Sequence, residues 1–297
     1  MVTTRGVEGG VGRTALMVAA ARAIEATRPD SLARDGFARH FVEAARVPGE
    51  WPVHWDDVPG GAANPLWGRL GRYFGLRTRV LDDFLLGAGA AQVVLLGAGL
   101  DSRAFRLSWP AGCRVFELDR PDVLAFKQEV LAGLGATAAA ARTTVAVDLR
   151  DDWAEPLCGA GFDPAVPTAW LAEGLLLYLS ADTERRLVSA IDRLAAPGSR
   201  LAFEVKLAVE HRASPIYRSA KEQIGVDLTA LFDAGPRPDS AEALRNRGWT
   251  VSARTPFDLA AQHGVDLVAE SEDALASNRW VFAGKARRTG TEGASMS

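Results

Sequence analysis

Short apolar runs and longer helical patterns follow one another along most of this chain. Residues 14–28 are rich in alanine and carry apolar side chains at helical spacing, and residues 66–87 repeat that spacing. From residue 92 onward, apolar runs of four or five residues alternate with further helical stretches. Such runs are too short for helices and are typical of strands covered on both faces. The alternation predicts an α/β protein with a parallel sheet and helices on both sides.

The pattern places each element at definite positions. Strands are predicted at residues 93–96, 115–119, 143–147, 168–172, 200–205, 249–253 and 279–284. Helices are predicted at residues 14–28, 31–45, 66–87, 121–134, 181–196 and 240–247.

Three segments are expected to differ in role. Residues 1–90 are predicted to form a helical cap within the same domain as a core at residues 91–286, covering the carboxyl ends of the strands. Residues 206–238 lack a clean period and contain three prolines, which predicts a lid of mixed helix and loop. Residues 287–297 are rich in Gly, Ser and Thr and are expected to be a disordered tail.

A glycine turn follows the first predicted strand. Gly97 and Gly99 allow backbone angles and close approaches that a Cβ atom would block. The second predicted strand ends at Asp119, twenty residues beyond Gly99. At that spacing an acid after the second strand meets a ribose held over the first turn. The sequence therefore predicts a nucleoside-cofactor site.

The residues around the turn narrow the choice of cofactor. Ser102 stands where a dinucleotide fingerprint has its third glycine, and Asp101 places a carboxylate at the mouth of the turn. That carboxylate would repel a pyrophosphate but tolerate a sulfonium and an amine, the two cations of S-adenosylmethionine. S-adenosylmethionine is therefore the predicted cofactor, and an NAD-dependent oxidoreductase remains the rival interpretation. No phosphate-binding P-loop motif occurs in the chain.

The composition of the chain argues against several other classes of protein. The 34 Lys and Arg residues against 37 Asp and Glu residues give a net charge of −3, so no basic footprint for nucleic acid is present. The two cysteines form neither a disulfide framework nor a metal-ligand cluster, and no metal site is expected. Neither a signal peptide nor a membrane span is expected, and a cytoplasmic location is predicted. Oligomeric state stays open.

Several stretches of the chain, taken in order, resemble the leucine carboxyl methyltransferase family. They are TALMVAAARAIEATRPDSLARDGFA, YFGLRTRVLDDFL, LLGAGLDSRAFRL, VFELDRPDVLAFK, AVDLRDDW and WLAEGLLLYLS, and together they span roughly residues 14–205. The similarity is to the bacterial branch of S-adenosylmethionine-dependent O-methyltransferases, which includes enzymes acting on polyketide carboxylates. The resemblance implies a class I methyltransferase fold, Rossmann-like, with a seven-stranded, mostly parallel sheet whose last hairpin includes an antiparallel strand.

The resemblance also implies roles for individual residues on the cofactor. Arg77 would pair with the methionine carboxylate, because a planar guanidinium suits a carboxylate. The backbone at Gly97 and Gly99 would run against the cofactor, and Asp101 would lie nearby. Asp119 would accept hydrogen bonds from the ribose hydroxyls. Asp148 would accept from the adenine amino group, and Leu149 would cover the base. Glu173 would lie near the ammonium end of the cofactor, where it would position groups for catalysis.

Structural roles are also open to several of these residues. Arg77 could instead pair with Asp82 or Asp83, and Arg79 is the neighbouring candidate for its cofactor role. Three acids have structural interpretations as well: Asp101 as a helix cap, Asp148 in an Asx-turn, and Glu117 either as a buried structural acid or as a second ligand.

The acceptor is predicted to be a small natural-product acid of secondary metabolism. A carboxylate is ionised at neutral pH and needs no general base, whereas a phenol would profit from a base such as histidine. None of the four histidines lies in a motif, which favours a carboxylate over a phenol or hydroxyl acceptor. An inactive cofactor-binding module also stays open. The candidate pocket residues, suited to a hydrophobic or aromatic acid, are Trp51, Trp55, Tyr73, His211 and Tyr217.

Overall fold

A seven-stranded sheet forms the centre of the computed structural model, which describes residues 11–45, 51–207, 214–233 and 235–286. The strands are β1 (Gln92–Leu96), β2 (Arg114–Asp119), β3 (Ala141–Ala146), β4 (Thr168–Ala172), β5 (Arg200–Lys206), β6 (Trp249–Arg254) and β7 (Asn278–Lys285). Their order is β3-β2-β1-β4-β5-β7-β6. The first five strands are parallel, while β7 is antiparallel to both β5 and β6. The predicted class I methyltransferase topology, with its antiparallel last hairpin, is confirmed.

The direction of the strand order reverses at β1. The chain proceeds outward from β1 through β2 to β3, then returns to place β4 and β5 on the other side of β1. In open α/β sheets, a crevice outside the carboxyl ends of the strands opens at such a reversal and binds ligands. The glycine turn after β1 therefore lies where the sheet leaves room for a ligand.

Burial explains the continuous apolar runs of the central strands. Every residue of β1 and of β4 is buried. Val94 and Trp170 belong to the apolar cluster on one face of the sheet, while Val93 and Ala169 belong to the cluster on the other face. A strand covered by helices on both faces has no solvent side, so neither set of alternating positions needs to be polar.

Helices surround the sheet and complete the described chain. They are α1 (Val11–Thr27), α2 (Ala38–Ala44), α3 (Gly71–Ala88), α4 (Arg103–Arg106), α5 (Pro121–Gly133), α6 (Ala154–Gly159), α7 (Ala181–Leu194), α8 (Pro215–Ile224), α9 (Leu228–Leu231), α10 (Ser240–Arg245) and α11 (Pro256–Gln262). A turn of π-helix at Pro65–Leu70 leads into α3. None of the described helices combines the length and the hydropathy that a membrane span needs.

Two side chains of α1 determine where the next helix begins. The sequence predicts a helix over residues 31–45, but α2 begins only at Ala38. Glu25 accepts a hydrogen bond from the backbone of Leu32 at 2.6 Å, and Arg22 pairs with Asp35 at 3.0 Å. These contacts hold residues 31–37 in an irregular path against α1. Tertiary contacts thus override the local helical pattern of this segment.

The segment predicted as a lid is partly helical. It contains α8 and α9, joined at Gly225. Residues 208–213 and 234 lie outside the described part, as do the predicted tail at residues 287–297 and the pocket candidate His211. The sequence pattern did not predict α6 or α11. Helix α11 begins with a capping box formed by Thr255 and Asp258.

Candidate functional site

A cavity of about 380 Å³ opens at the carboxyl ends of the parallel strands, beneath α1 and α3. It brings together side chains from α3, from the glycine turn and from the ends of three strands, a convergence that only the sheet topology can produce. The predicted cofactor residues that line it are Arg77, Gly97, Gly99, Asp101, Asp119, Asp148, Leu149 and Glu173. Every residue assigned to the cofactor by sequence thus lines a single cavity.

The glycine turn and the acid after β2 are joined directly. The backbone N–H of Gly99 donates to Asp119 Oδ2 at 2.6 Å, and the N–H of Arg120 donates to Oδ1 at 2.7 Å. Gly97 and Gly99 have φ angles of 67° and 46°, which disfavour other residues. Burial raises the pKa of Asp119, while the two backbone donors oppose that rise. The carboxylate is therefore fixed at the turn with remaining acceptor capacity.

Asp101 accepts a backbone hydrogen bond at the turn before α4 and also lines the cavity. Its Oδ1 accepts from the backbone N–H of Arg103 at 2.6 Å, and its Oδ2 pairs with the Arg103 guanidinium. Burial opposes ionisation of Asp101, but Arg103 and then Lys127 lower its pKa overall. The carboxylate thus caps the turn into α4 while it lines the cavity.

Glu173 lies between two arginines. Its Oε2 accepts a hydrogen bond from Arg103 Nη1 at 2.6 Å, and its Oε1 lies 2.9 Å from Arg77 Nε. Burial raises the pKa of Glu173, but Arg103 and Arg77 more than reverse this and hold it well below its usual range. A fixed anion therefore stands at the carboxyl end of β4.

Arg77 pairs with cavity acids rather than with its neighbours on α3. Its Nη1 donates to Glu204 Oε2 at 2.7 Å, and its guanidinium carbon lies 4.6 Å from the centre of the Phe74 ring. Burial opposes the charge of Arg77, but Glu173 and Glu204 raise its pKa. Nη2 of Arg77 makes no hydrogen bond within the described chain.

The acids that neighbour Arg77 on α3 are engaged elsewhere. Asp82 pairs with Arg103 at 2.7 Å and with Arg106 at 2.6 Å. Asp83 pairs with Arg79 at 2.8 Å, and both of those side chains are about half exposed. Arg77, and not Arg79, is therefore the α3 arginine that faces the cavity.

Glu204 is a site residue that the sequence interpretation missed. It lies on β5, lines the cavity, and accepts a hydrogen bond from the Tyr73 hydroxyl as well as from Arg77. The Tyr73 oxygen in turn accepts from Asn278 Nδ2 at 3.1 Å and from Trp280 Nε1 at 3.0 Å. An acid inside the apolar run RLAFEVK was the sequence signal for it. Tyr73 lines the cavity as predicted, but its hydroxyl is committed to this network.

Asp148 and Glu117, two acids for which the sequence left a structural role open, differ in their surroundings. Asp148 accepts from the backbone N–H of Arg150 at 2.9 Å, and contact with the Arg150 side chain lowers its pKa. The Asx-like turn is therefore present, although Asp148 still lines the cavity, followed by the buried Leu149. Glu117 is fully buried and bonded to Lys127 and Arg142, each at 2.8 Å. It does not line the cavity and is a structural acid.

An aromatic wall extends the cavity away from these charged groups. The ring centroids of Tyr178 and Phe232 are 6.1 Å apart, and those of Phe232 and Tyr217 are 6.2 Å apart. Tyr217, a predicted pocket residue, therefore lines the cavity within this wall. The apolar residues that complete this end include Leu70, Phe74, Leu177, Ile216, Leu228 and Leu275.

Two predicted pocket residues, Trp51 and Trp55, lie outside the cavity. Trp51 packs in the core, with its ring centroid 6.0 Å from that of Trp67. Trp55 lies beneath the guanidinium of Arg28, whose carbon is 3.9 Å from the ring centroid. Both side chains bury apolar surface against the N-terminal helices. This packing, not ligand contact, accounts for the two tryptophans.

Known proteins resemble this chain over most of its length. The model of the leucine carboxyl methyltransferase family matches residues 15–192. A candidate S-adenosyl-L-methionine-dependent methyltransferase of Streptomyces coelicolor is 59% identical over 96% of each chain. One from Saccharopolyspora erythraea is 46% identical over 86% of this chain and 88% of its own. A crystal structure of a candidate methyltransferase from Thermobifida fusca aligns with 90% of this chain and 94% of its own, at 20% identity and a TM-score of 0.49.

Proposed function

The chain belongs to the leucine carboxyl methyltransferase family and is an S-adenosylmethionine-dependent methyltransferase, and we propose that it methylates a carboxylate oxygen of a small apolar acid. One observation carries the proposal: a single cavity joins the predicted cofactor residues to an aromatic wall. The description of the family names a carboxyl group as the methyl acceptor, which supports a carboxylate here. The aromatic wall favours a hydrophobic or aromatic acid, because apolar pockets with a few polar groups bind such molecules.

The residues of the cavity fit S-adenosylmethionine. Five carboxylates line it, from Asp101, Asp119, Asp148, Glu173 and Glu204, and they suit a ligand that carries a sulfonium and an ammonium group. Gly97, Gly99 and Gly174 line the cavity with positive φ angles, which glycine adopts without strain, in the turns that follow β1 and β4. A volume of about 380 Å³ lies in the range of cofactor pockets.

Within the proposal, each end of the cofactor has its own residues. Asp119 would accept from the ribose hydroxyls, because its carboxylate is held at the turn with spare acceptor capacity. Asp148 and Leu149 would hold the adenine. Glu173 would face the ammonium group, and the Nη2 of Arg77 would donate to the carboxylate of the cofactor.

The chemistry requires little more than alignment and exclusion of water. The bound cofactor supplies a methyl group activated by its positive sulfur. A lone pair of the acceptor carboxylate forms the new O–CH₃ bond while the S–CH₃ bonding pair remains on sulfur, so an ester and a neutral thioether result and no proton moves. The chain's task is to hold the acceptor in line with that bond, in a dry pocket. The aromatic wall from Tyr178 to Tyr217 provides such a surface.

A labelled methyl-transfer assay tests this function. The purified chain is given radiolabelled S-adenosylmethionine and matched pairs of aromatic acids and phenols that share one carbon skeleton. We expect the label to appear as methyl esters of the acids. Labelling confined to phenols, or confined to the C-terminus of a protein, would overturn the proposal. Binding of S-adenosylhomocysteine without turnover of any acceptor would indicate an inactive cofactor-binding module.

A further inference from the structure

Lys206 is a buried cation whose charge the described chain does not neutralise. It is the last residue of β5, is 9% exposed and lines the cavity. Its Nζ donates to the backbone carbonyl of Ala274 at 2.6 Å and to Asn278 Oδ1 at 3.0 Å. Both acceptors are neutral. An ammonium group has three donors, so one remains without an acceptor among the described residues.

Three arginines that line the same cavity are each paired with an acid, unlike Lys206. Arg22 pairs with Asp35 at 3.0 Å, Arg77 with two glutamates, and Arg150 with Asp148 at 2.5 Å. For Lys206, no ion pair is found within the part of the chain that the structure describes. Buried charges in proteins are paired as a rule, since an unpaired charge loses its hydration without compensation. An unpaired cation facing a cavity therefore points to an anionic ligand.

The position of Lys206 selects which ligand that is. The cavity follows the carboxyl ends of the strands in the order β3, β2, β1, β4 and β5, with Asp148 after β3 and Lys206 at the end of β5. Lys206 therefore lies far from the predicted adenine end. Its Nζ is 5.8 Å from the centre of the Tyr217 ring, at the end of the aromatic wall that runs through Phe232 from Tyr178. An anion at Lys206 would have an apolar body against that wall.

We propose that Lys206 binds the carboxylate of the acceptor acid, donating its third N–H to one oxygen and leaving the other oxygen to receive the methyl group. The inference rests on the proposed function and adds a residue that recognises the negative charge of the acceptor. Methylation turns the anion into a neutral ester, so the ion pair with Lys206 exists with the substrate and is lost with the product. Lys206 is thereby a specificity-determining residue that favours acid over ester and aids release of the product.

The test compares binding of an aromatic acid and of its methyl ester by calorimetry, in the presence of saturating S-adenosylhomocysteine. The acid used is the best substrate found in the methyl-transfer assay. We expect the wild-type protein to bind the acid at least tenfold more tightly than the ester, and Lys206→Met to weaken acid binding about tenfold to a hundredfold. Binding of the ester and of S-adenosylhomocysteine should stay unchanged in the variant. Lys206→Arg should recover part of the acid affinity.

The control is Lys285→Met. Lys285 ends β7, which runs antiparallel to β5, so it lies beside the start of β5 and away from the cavity. It pairs with Asp192 at 3.0 Å, and its loss should leave the acid-to-ester ratio unchanged. If Lys206→Met binds S-adenosylhomocysteine normally and also binds the acid as tightly as the wild type, the inference fails while the proposed function stands. If the wild-type protein methylates no acid at all, the proposed function itself fails.

A pH titration of the wild-type protein gives a readout that needs no variant. Burial lowers the pKa of Lys206 to about 8, while Glu204 on the same strand and Asp273 before β7 oppose this; Tyr217 also faces the amine. The ammonium form binds the acid, so affinity should be full below pH 8 and should fall as the pH rises above it. The affinity for the ester should show no such fall. Acid affinity that stays constant up to pH 10 would contradict the inference.

Discussion

At the scale of single residues, buried arginines keep two of the cavity carboxylates, those of Asp101 and Glu173, in their ionised form. Glu173 illustrates the balance, because burial alone would favour its neutral form while Arg103 and Arg77 keep it charged. Glu204 has a different surrounding, with Arg77 and the Tyr73 hydroxyl as its partners. Paired charges of this kind fix the positions of the side chains that would meet a cationic cofactor.

Asp119 is the residue whose loss should affect the cofactor most selectively. In Asp119→Ala, the affinity for S-adenosylhomocysteine should fall about tenfold to a hundredfold, because two ribose hydroxyls lose a charged acceptor. Calorimetry measures the change. Asp83→Ala is the matched control, since Asp83 is about half exposed and pairs only with Arg79 among the described residues. Equal affinity in Asp119→Ala and in the wild-type protein would remove this assignment.

At the scale of elements, one buried ion cluster ties a helix to the sheet. Glu117 on β2 binds Lys127 of α5 and Arg142 of β3, and both Glu117 and Lys127 are fully buried. The cluster fixes α5 over β2 and β3, and so fixes the strand end that carries Asp119. Its contribution is to the position of the elements, because a buried ion pair is costly to break even when it adds little net stability.

Replacement of Lys127 should therefore destabilise the fold. Lys127→Met leaves a buried carboxylate with one partner fewer, which should lower the free energy of unfolding by about 3 kcal/mol. Urea denaturation measures this loss, and cofactor affinity is measured alongside. Lys221→Met is the control, because Lys221 is 71% exposed and its loss should change stability by less than about 0.5 kcal/mol. A stability equal to that of the wild type would contradict the role given to the cluster.

At the scale of the whole molecule, the cavity exists because the N-terminal helices close over the sheet. Arg22 of α1 donates to the carbonyl of Leu100 at 2.7 Å, which joins that helix to the loop after β1. Residues of α1 and α3 line the cavity together with the strand ends. Helices α1 and α3 thus form one wall of the site.

A ligand that binds this cavity should stabilise the whole chain. At a concentration of 100 Kd, S-adenosylhomocysteine should raise the free energy of unfolding by about 2.7 kcal/mol, which corresponds to a shift in Tm of about 5 °C. NAD should leave the Tm unchanged, because Asp101 and Asp119 would repel its pyrophosphate. Thermal unfolding with each ligand checks the expectation. A shift with NAD and none with S-adenosylhomocysteine would favour an oxidoreductase.

The sequence anticipated which residues at the strand ends line the cavity better than it anticipated the predicted pocket residues. Gly97, Gly99 and Asp119 lie at fixed offsets from strand ends, and strand ends meet at one edge of a parallel sheet, so their convergence follows from local pattern. Trp51 and Trp55 do not lie at a fixed offset from a strand end. Contacts with residues distant in the sequence determine their packing against the N-terminal helices. Helix α2 shows the same limit, since Arg22 and Glu25 of another helix determine where it begins.

The amino-acid sequence by itself determined the α/β class of the fold, the glycine turn, the family and the acids at the strand ends that line the cavity. These depend on short-range periodicity and on spacing within single βα units, which local chemistry dictates. Only the tertiary structure decided that Arg77 meets Glu173 and Glu204, and that Lys206 has no counterion within the described residues while it faces an aromatic wall. Those facts depend on which strands become neighbours and which side chains burial brings together, and neither is recorded in local pattern.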